Sequence, residues 1–221
     1  MGCIIFFRVD EIVIEGESVY SDEEIIEASG VALRDNLFLV RQLQVSRSIL
    51  GQLPYIGSVS VRLGLPNRLY ITVTAATAAA ALEGEDGTWW AMDANGKLLA
   101  QGDSGIAEGR PLVTGLTLLL PSAGEQAAVS VEESTKLSSL LEVLTDLEDW
   151  EILDQVQSID LSGSAQIQME FQERFTVLLP MYSEEFHLLI HTLKAAAEYL
   201  DNGQTGTIDL SGEVQSFTPA S

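Results

Sequence analysis

The two histidines of the chain, His187 and His191, have the spacing that most directly suggests chemistry. They lie four residues apart in a segment with helical periodicity. Imidazoles at that spacing can share one zinc ion, with Glu184 as a third ligand one turn earlier. A metalloprotease would need a glutamate directly after the first histidine, where this chain has Leu188. The alternative is a half-exposed helix face, and we therefore predict no metal site and no cofactor.

No other group of residues has the composition of a catalytic centre. The phosphate-binding pattern Gly-x-x-x-x-Gly-Lys and the nucleophile pattern Gly-x-Ser-x-Gly are both absent. Cys3 is the single cysteine, so no intramolecular disulfide can form. Carboxylate pairs are expected by chance among 33 acidic residues, and we interpret Asp146, Glu148 and Asp149 as a solvated face. The chain is therefore predicted not to be an enzyme and to have no small-molecule substrate.

Acidic residues outnumber basic ones and are unevenly distributed. The chain of 221 residues has 33 acidic and 11 basic residues, a net charge of −22. Residues 1–80 hold six basic and nine acidic residues, whereas residues 81–221 hold five basic and 24 acidic residues. Proteins bind nucleic acids and anionic lipids through Lys and Arg, so this charge argues against both as partners.

The elements that would position these residues begin with one small α+β unit. Ser21 and Glu24 form a capping-box pattern that starts a helix, and Gly30 is a suitable residue to end it. Pro54 prevents a second helix from continuing. The predicted elements are a strand over residues 8–14, helices over about 21–29 and 40–52, and strands over 58–63 and 69–74. The order is β-α-α-β-β. Residues 75–81 are compatible with either a helix or a strand.

Beyond residue 82 the pattern changes to short alternating segments and two helices. Asn95-Gly96 is a strong hairpin signal and predicts a tight type I′-like turn with both residues at positive φ. Strands are predicted over residues 89–92, 97–101, 156–161, 166–171, 175–179, 207–210 and 214–217, and helices over about 132–147 and 184–200. No internal repeat or low-complexity linker is evident. We predict an α+β fold, with a β-α-α-β-β unit in residues 1–78 and a mostly antiparallel β domain with two helices in residues 79–221.

The apolar run Ile4-Ile5-Phe6-Phe7 near the N-terminus has two interpretations. It is a buried first strand, or residues 1–7 are the outer end of a membrane anchor that would precede this region. The run is far shorter than the 18 or more apolar residues that a membrane-spanning helix needs.

Several segments resemble the FtsQ/DivIB family of bacterial cell-division proteins. The more specific marks are Pro54-Tyr55-Ile56 before one strand and Leu65-Pro66-Asn67 before the next. The segments that resemble the family's POTRA domain are Phe7–Ile25, Gly30–Val40 and Leu53–Val73; those that resemble its β domain are residues 89–100, Pro111–Gly115, 173–180 and 205–219. The chain departs from the family at residues 75–78, where the family has Glu-Arg-x-Pro, and at Leu179-Pro180, where the family commonly has Leu-Gly.

The resemblance implies a non-enzymatic divisome scaffold. It implies the extracytoplasmic part of a single-pass protein of the bacterial cell membrane, acting at the division septum. The implied partners are FtsB/DivIC-like and FtsL-like proteins, bound by β-strand addition. The alternative is a POTRA-bearing chaperone or adaptor of another bacterial envelope assembly or transport system.

The predicted partner-binding residues are Val214, Gln215, Ser216 and Phe217. They follow a predicted strand and a short turn, so the last strand is the outer member of a hairpin, and none of the four is a Lys or Pro that would block an open edge. In the family the C-terminal strand receives the FtsB-type partner and carries an aromatic residue two positions before a proline. Phe217 before Pro219 matches that placement, which implies backbone pairing with Phe217 as the anchor. The alternative is an edge covered by the preceding loop or by a C-terminal tail.

Overall fold

A computed structural model describes residues 7–84, 87–201, 203–212 and 214–220. The fold is α+β, as predicted, with four α-helices and two sheets in the described residues. Contacts between residues divide it into two units. The first runs to Thr77 and includes the short segment Ala123–Glu125, and the second comprises Ala78–Ser122 and the chain from Gln126 onward.

The first unit has the predicted β-α-α-β-β order. Its sheet has the strand order β1-β3-β2, with β1 parallel and β2 antiparallel to β3. The first strand starts three residues later than predicted, and residues 4–6 of the apolar run lie outside the described residues. The elements are β1 (Glu11–Gly16), α1 (Asp22–Ser29), α2 (Gln42–Gln52), β2 (Ile56–Gly64) and β3 (Arg68–Ala75).

Helix α1 begins and ends as its sequence predicts. The Ser21 hydroxyl accepts a hydrogen bond from the Glu24 N–H at 3.3 Å, and the Glu24 carboxylate accepts one from the Ser21 N–H at 2.8 Å. The Glu24 carboxylate also accepts from the Ser21 hydroxyl at 2.8 Å, and its hydrogen bonds from the Ser21 backbone and hydroxyl lower the pKa of Glu24 from its ordinary value. Gly30 ends the helix at φ +68°, a conformation that costs glycine little. The capping box and the glycine stop are therefore confirmed.

The second unit contains the remaining strands and both remaining helices. Its nine strands are ordered β12-β11-β10-β9-β8-β7-β4-β5-β6, and five of the eight pairings are antiparallel. The predicted mostly antiparallel sheet with two helices is thus present. The elements are β4 (Ala80–Glu83), β5 (Trp89–Met92), β6 (Leu98–Gly102), β7 (Leu112–Thr114), α3 (Ser134–Asp149), β8 (Val156–Asp160), β9 (Gln166–Phe171), β10 (Phe175–Pro180), α4 (Phe186–Tyr199), β11 (Gly206–Asp209) and β12 (Ser216–Pro219).

The hairpin between β5 and β6 corrects the predicted turn. Gly96 has φ +87°, but Asn95 is not at positive φ, so the turn is not type I′. The Gly96 N–H donates to the Asp93 carbonyl, and the Asp93 side chain accepts from the N–H groups of Asn95 at 2.9 Å and Lys97 at 2.8 Å. A buried aspartate thus holds the loop in a conformation that needs one left-handed residue, and Gly96 supplies it.

Each unit has its own hydrophobic core. In the first, α1 and α2 contribute Ile25, Val45 and Ile49 against the strand residues Leu69 and Ile71. In the second, buried side chains of α3 and α4 form one cluster with the sheet; its members include Leu140, Leu144, Ile190, Leu193, Phe171, Phe175 and Ile208. Burying each such side chain contributes about 1.5–3 kcal/mol relative to exposure. Strands β10 and β11, which contribute Phe175 and Ile208 to this cluster, are therefore held in place by core packing.

Candidate partner-binding strand edge

Strand β12 is the terminal strand of the nine-stranded sheet and pairs only with β11 among the described residues. Its position at the edge is as predicted, but its bounds are not. The strand covers Ser216–Pro219, so Val214 and Gln215 precede it, and Val214 is 83% exposed. Pairing begins at Asp209 and Ser216 because the turn is longer than predicted.

The outward backbone groups of β12 follow from its register. The Ala220 N–H donates to the Thr205 carbonyl at 2.8 Å. In an antiparallel pair the residues alternate between those that bond to the neighbouring strand and those that do not. Ser216 and Thr218 therefore point their backbone groups towards β11. The N–H and C=O of Phe217 and the C=O of Pro219 point to the open edge.

Pro219 lies inside the strand, whereas the predicted strand ended at Phe217. It pairs in register with Gly206. Its missing N–H would point to the open edge, so the β11–β12 ladder loses no hydrogen bond. The open edge therefore offers one donor, from Phe217, and two acceptors within the strand.

The Phe217 side chain is half-buried in the core of its own unit. Its ring lies edge-on to that of Phe175, with 6.0 Å between the ring centroids, and Phe217 packs beside buried Ile208. The side chain that the sequence analysis predicted as an anchor therefore already has an intramolecular partner. What Phe217 presents at the edge is its backbone.

Gly206 permits the approach of β12 to β11. A Cβ atom added at Gly206 would overlap the backbone oxygen of Thr218 and crowd the Cα of Pro219. The Gly206 N–H donates to the Arg174 carbonyl at 3.1 Å, which ties the same residue to the β10 side. Sequence analysis missed this residue, and its signal was a glycine directly before a predicted strand.

A short repeat also escaped the sequence analysis. Ile-Asp-Leu-Ser-Gly occurs at residues 159–163 and again at 208–212. In both copies the aspartate ends a strand that is parallel to its preceding neighbour, and an antiparallel hairpin follows. In both copies the leucine N–H continues the parallel ladder, from Leu161 to the Thr114 carbonyl and from Leu210 to the Leu178 carbonyl. The β8–β9 and β11–β12 hairpins thus share one sequence motif and the same backbone hydrogen bond.

The aspartate of each copy fixes its turn. The Asp160 carboxylate accepts from the Ser162 N–H at 2.8 Å, and that of Asp209 accepts from the Ser211 N–H at 2.9 Å and the Ser211 hydroxyl at 2.7 Å. The hydrogen bonds from Ser162 and Ser211 lower the pKa of Asp160 and Asp209 respectively. The ionised aspartate therefore orients the chain into β12.

His187 and His191 do not converge in the zinc-ligand arrangement that their spacing would allow. The rings of His187 and His191 instead both pack against Trp150, with centroid distances of 5.1 Å and 4.6 Å. The Nδ1 atom of His187 lies 2.9 Å from an Asp146 oxygen, and a ligand atom of each of these two residues and of Asp149 lies within 4.8 Å of the others. His191 is not in that group. Asp149 and His187 are exposed and Asp146 is half-buried; such groups near the protein surface are common without an ion, so this group does not identify a site.

Comparison with known families finds a match in the first unit. Residues 7–74 match the POTRA domain, FtsQ-type, a range that begins before β1 and ends within β3. No curated protein matches the chain. The match confirms the resemblance to the FtsQ/DivIB extracytoplasmic region and supports, in general terms, a scaffold role in cell division. In the part of the chain that is described, no helix combines the length and apolar character needed to cross a bilayer.

Proposed function

We propose, from the FtsQ-type match of residues 7–74, that this region belongs to a single-pass membrane protein and scaffolds the divisome on the extracytoplasmic face at the septum. It has no catalytic activity and binds FtsB/DivIC-like and FtsL-like partners. One of these adds a β-strand to β12. The observation that carries the proposal is the open backbone edge at Phe217 and Pro219. Residues 1–78 and 79–221 are proposed as its two domains.

The repeated hairpin indicates the orientation of the added strand. In the first copy the second strand of the hairpin, β9, is covered by antiparallel β10. In the second copy β12 holds the equivalent position and ends the sheet. A partner strand antiparallel to β12 would complete the second copy as β10 completes the first. Each new backbone hydrogen bond contributes about 0.5–1.5 kcal/mol net, so partner side chains beside β12 must supply much of the affinity.

Amide hydrogen exchange tests this proposal residue by residue. The Thr218 N–H points to β11 and is expected to exchange slowly in the free protein, whereas the Phe217 N–H at the open edge exchanges fast. Addition of the extracytoplasmic part of an FtsB/DivIC-like partner should slow the exchange of Phe217 and leave Thr218 little changed. If the partner binds while the Phe217 amide still exchanges fast, it docks elsewhere.

A substitution outside the strand supplies a second test. Gln215→Pro removes the N–H that would extend the open edge by one register step, while the strand Ser216–Pro219 is left intact. We expect weaker partner binding without loss of fold, with Gln215→Ala, which removes the side chain and keeps the N–H, as the control. Septal localisation of a fluorescent full-length fusion tests the cellular role, and a uniform envelope signal in dividing cells would contradict it.

A further inference from the structure

One surface of the first unit departs from the acidity of the chain. Residues 36–82 contain no Asp or Glu and four arginines, although the chain has 33 acidic residues. Helix α2 lies in this segment. Its first turn carries no acidic residue and its N-cap is Arg41, whereas the first turn of α1 carries three acidic residues. The outer surface of α2 is therefore basic.

The same surface exposes large apolar side chains. Phe38, Leu39 and Leu43 are exposed by 59%, 75% and 77%. Leu39 and Arg41 line one depression, and Arg41, Leu43 and Arg47 line the next, so Arg41 joins the two; Phe38 directly precedes Leu39 in the chain. We call these residues, Phe38, Leu39, Arg41, Leu43 and Arg47, the α2 patch. The opposite side of α2 faces the core through Val45 and Ile49, so the patch is not needed for that core.

The position of Phe7 connects the patch to the start of the unit. The Phe7 and Phe38 rings are in edge-to-face contact, with 4.9 Å between centroids. In sequence, Phe7 directly follows Ile4-Ile5-Phe6. An anchor ahead of the unit would therefore bring its outer end to the border of the α2 patch.

We propose that the α2 patch rests on an anionic phospholipid surface, an inference that depends on the membrane anchor of the proposed function. The leucines and Phe38 would enter the interfacial region while Arg41 and Arg47 contact lipid phosphates. The net charge of −22 argues against anionic lipid as a partner of the chain as a whole, but acidic groups more than about 8 Å from the patch are largely screened at physiological ionic strength. Asp35, which lines the same depression as Leu39 and Arg41, offsets part of the charge of the two arginines. A few such contacts would hold a free protein on the lipid surface only weakly. An anchor already in the bilayer makes the contact between the patch and the lipid intramolecular, which raises the effective concentration of the patch at the surface to the order of millimolar.

A tethered vesicle experiment tests the surface directly. The 221-residue chain, with Cys3→Ser, is attached through an N-terminal His tag to vesicles that contain a nickel-chelating lipid, either in phosphatidylglycerol with phosphatidylcholine or in phosphatidylcholine alone. An environment-sensitive fluorophore is placed at Leu43→Cys, or at Val19→Cys as the control. Val19 lies in the same unit with a similar exposure of 72%, outside the patch and near Glu17 and Asp22.

The expected result is a blue shift of the label at position 43 on the phosphatidylglycerol vesicles and none at position 19. Arg41→Gln and Arg47→Gln should each reduce the ratio of inserted to free label about fivefold. Both side chains are exposed, and circular dichroism should show that both variants stay folded. A label at position 43 that stays in water on both vesicles overturns the proposal, as does one that is covered only when an acidic protein partner is added. Neither result bears on septal localisation, which tests the proposed function separately.

Discussion

At the scale of single residues, Gly206 decides whether the terminal strand can pair. Gly206→Ala places a Cβ atom against the Thr218 oxygen, so β12 must separate from β11 or move. We expect a loss of about 1–3 kcal/mol in the free energy of unfolding and faster exchange of the Thr218 amide. Denaturant unfolding and hydrogen exchange measure these effects.

Gly203→Ala is the matched control for that substitution. Gly203 lies three residues earlier, and nothing lies within 4 Å of an added Cβ. Its stability should stay within about 0.5 kcal/mol of the parent. Equal stability of the two variants would mean that β12 does not approach β11 as described.

The ionisation of Asp209 is expected to make the stability of the protein depend on pH through the β11–β12 turn. The hydrogen bonds from Ser211 lower its folded pKa below the ordinary value near 4, so the ionised form contributes stability above that value. This contribution is lost as the pH falls through the folded pKa. The difference in stability between the parent and Asp209→Asn should therefore shrink between pH 5 and pH 3, which urea unfolding at several pH values would measure. A constant difference across that range would contradict this role of the carboxylate.

At the scale of elements, the sequence predicted element types well and predicted turns less well. The capping box, the glycine stop and most strands come from local patterns that packing reinforces. The Asn-Gly signal failed because buried Asp93 binds the loop N–H groups and selects a turn with one left-handed residue. β12 begins two residues later than predicted because its pairing with β11 starts at Asp209 and Ser216, which leaves Val214 and Gln215 before the ladder. The pattern of apolar and polar residues in the sequence does not reveal such contacts.

The β5–β6 hairpin supplies a prediction at this scale. Gly96→Val would force a β-branched residue to φ +87° and bring its Cβ close to Leu141. We expect a loss of about 1–3 kcal/mol, read as a lower melting temperature. Gly203→Val, at a position without positive φ and with open space, is the control. An unchanged melting temperature for the Gly96 variant would contradict the left-handed geometry.

At the scale of the whole molecule, the candidate site could be located but not completed from the sequence. The order of elements was sufficient to predict that the last strand is an edge, because it is the outer member of a C-terminal hairpin. The outward atoms were not predictable, because they depend on register, and register is fixed by pairs such as Gly206 with Pro219. The half-buried Phe217 ring was likewise hidden, since the contact with Phe175 spans two strands that are distant in sequence.

The division of the chain into two domains is the last prediction, and it is tested by proteolysis. Strand β3 ends at Ala75 and β4 begins at Ala80, and the residues between them belong to neither strand, with Thr77 exposed. The segment from Arg68 to Lys97 contains no other Lys or Arg, so trypsin is unsuitable, whereas elastase cleaves after small residues such as these alanines. Exposed segments outside regular structure are the preferred sites of first cleavage.

We expect elastase at low concentration to cut first within residues 75–84 and to leave two fragments that resist further digestion. Each fragment would contain a complete hydrophobic core, because the buried residues of the two clusters do not overlap. Mass spectrometry would locate the cut, and circular dichroism of the separated fragments would test whether each stays folded. A first stable cut inside α2, between Arg41 and Leu53, would contradict the division, because that helix packs its buried face into the core of the first unit and should open only with it.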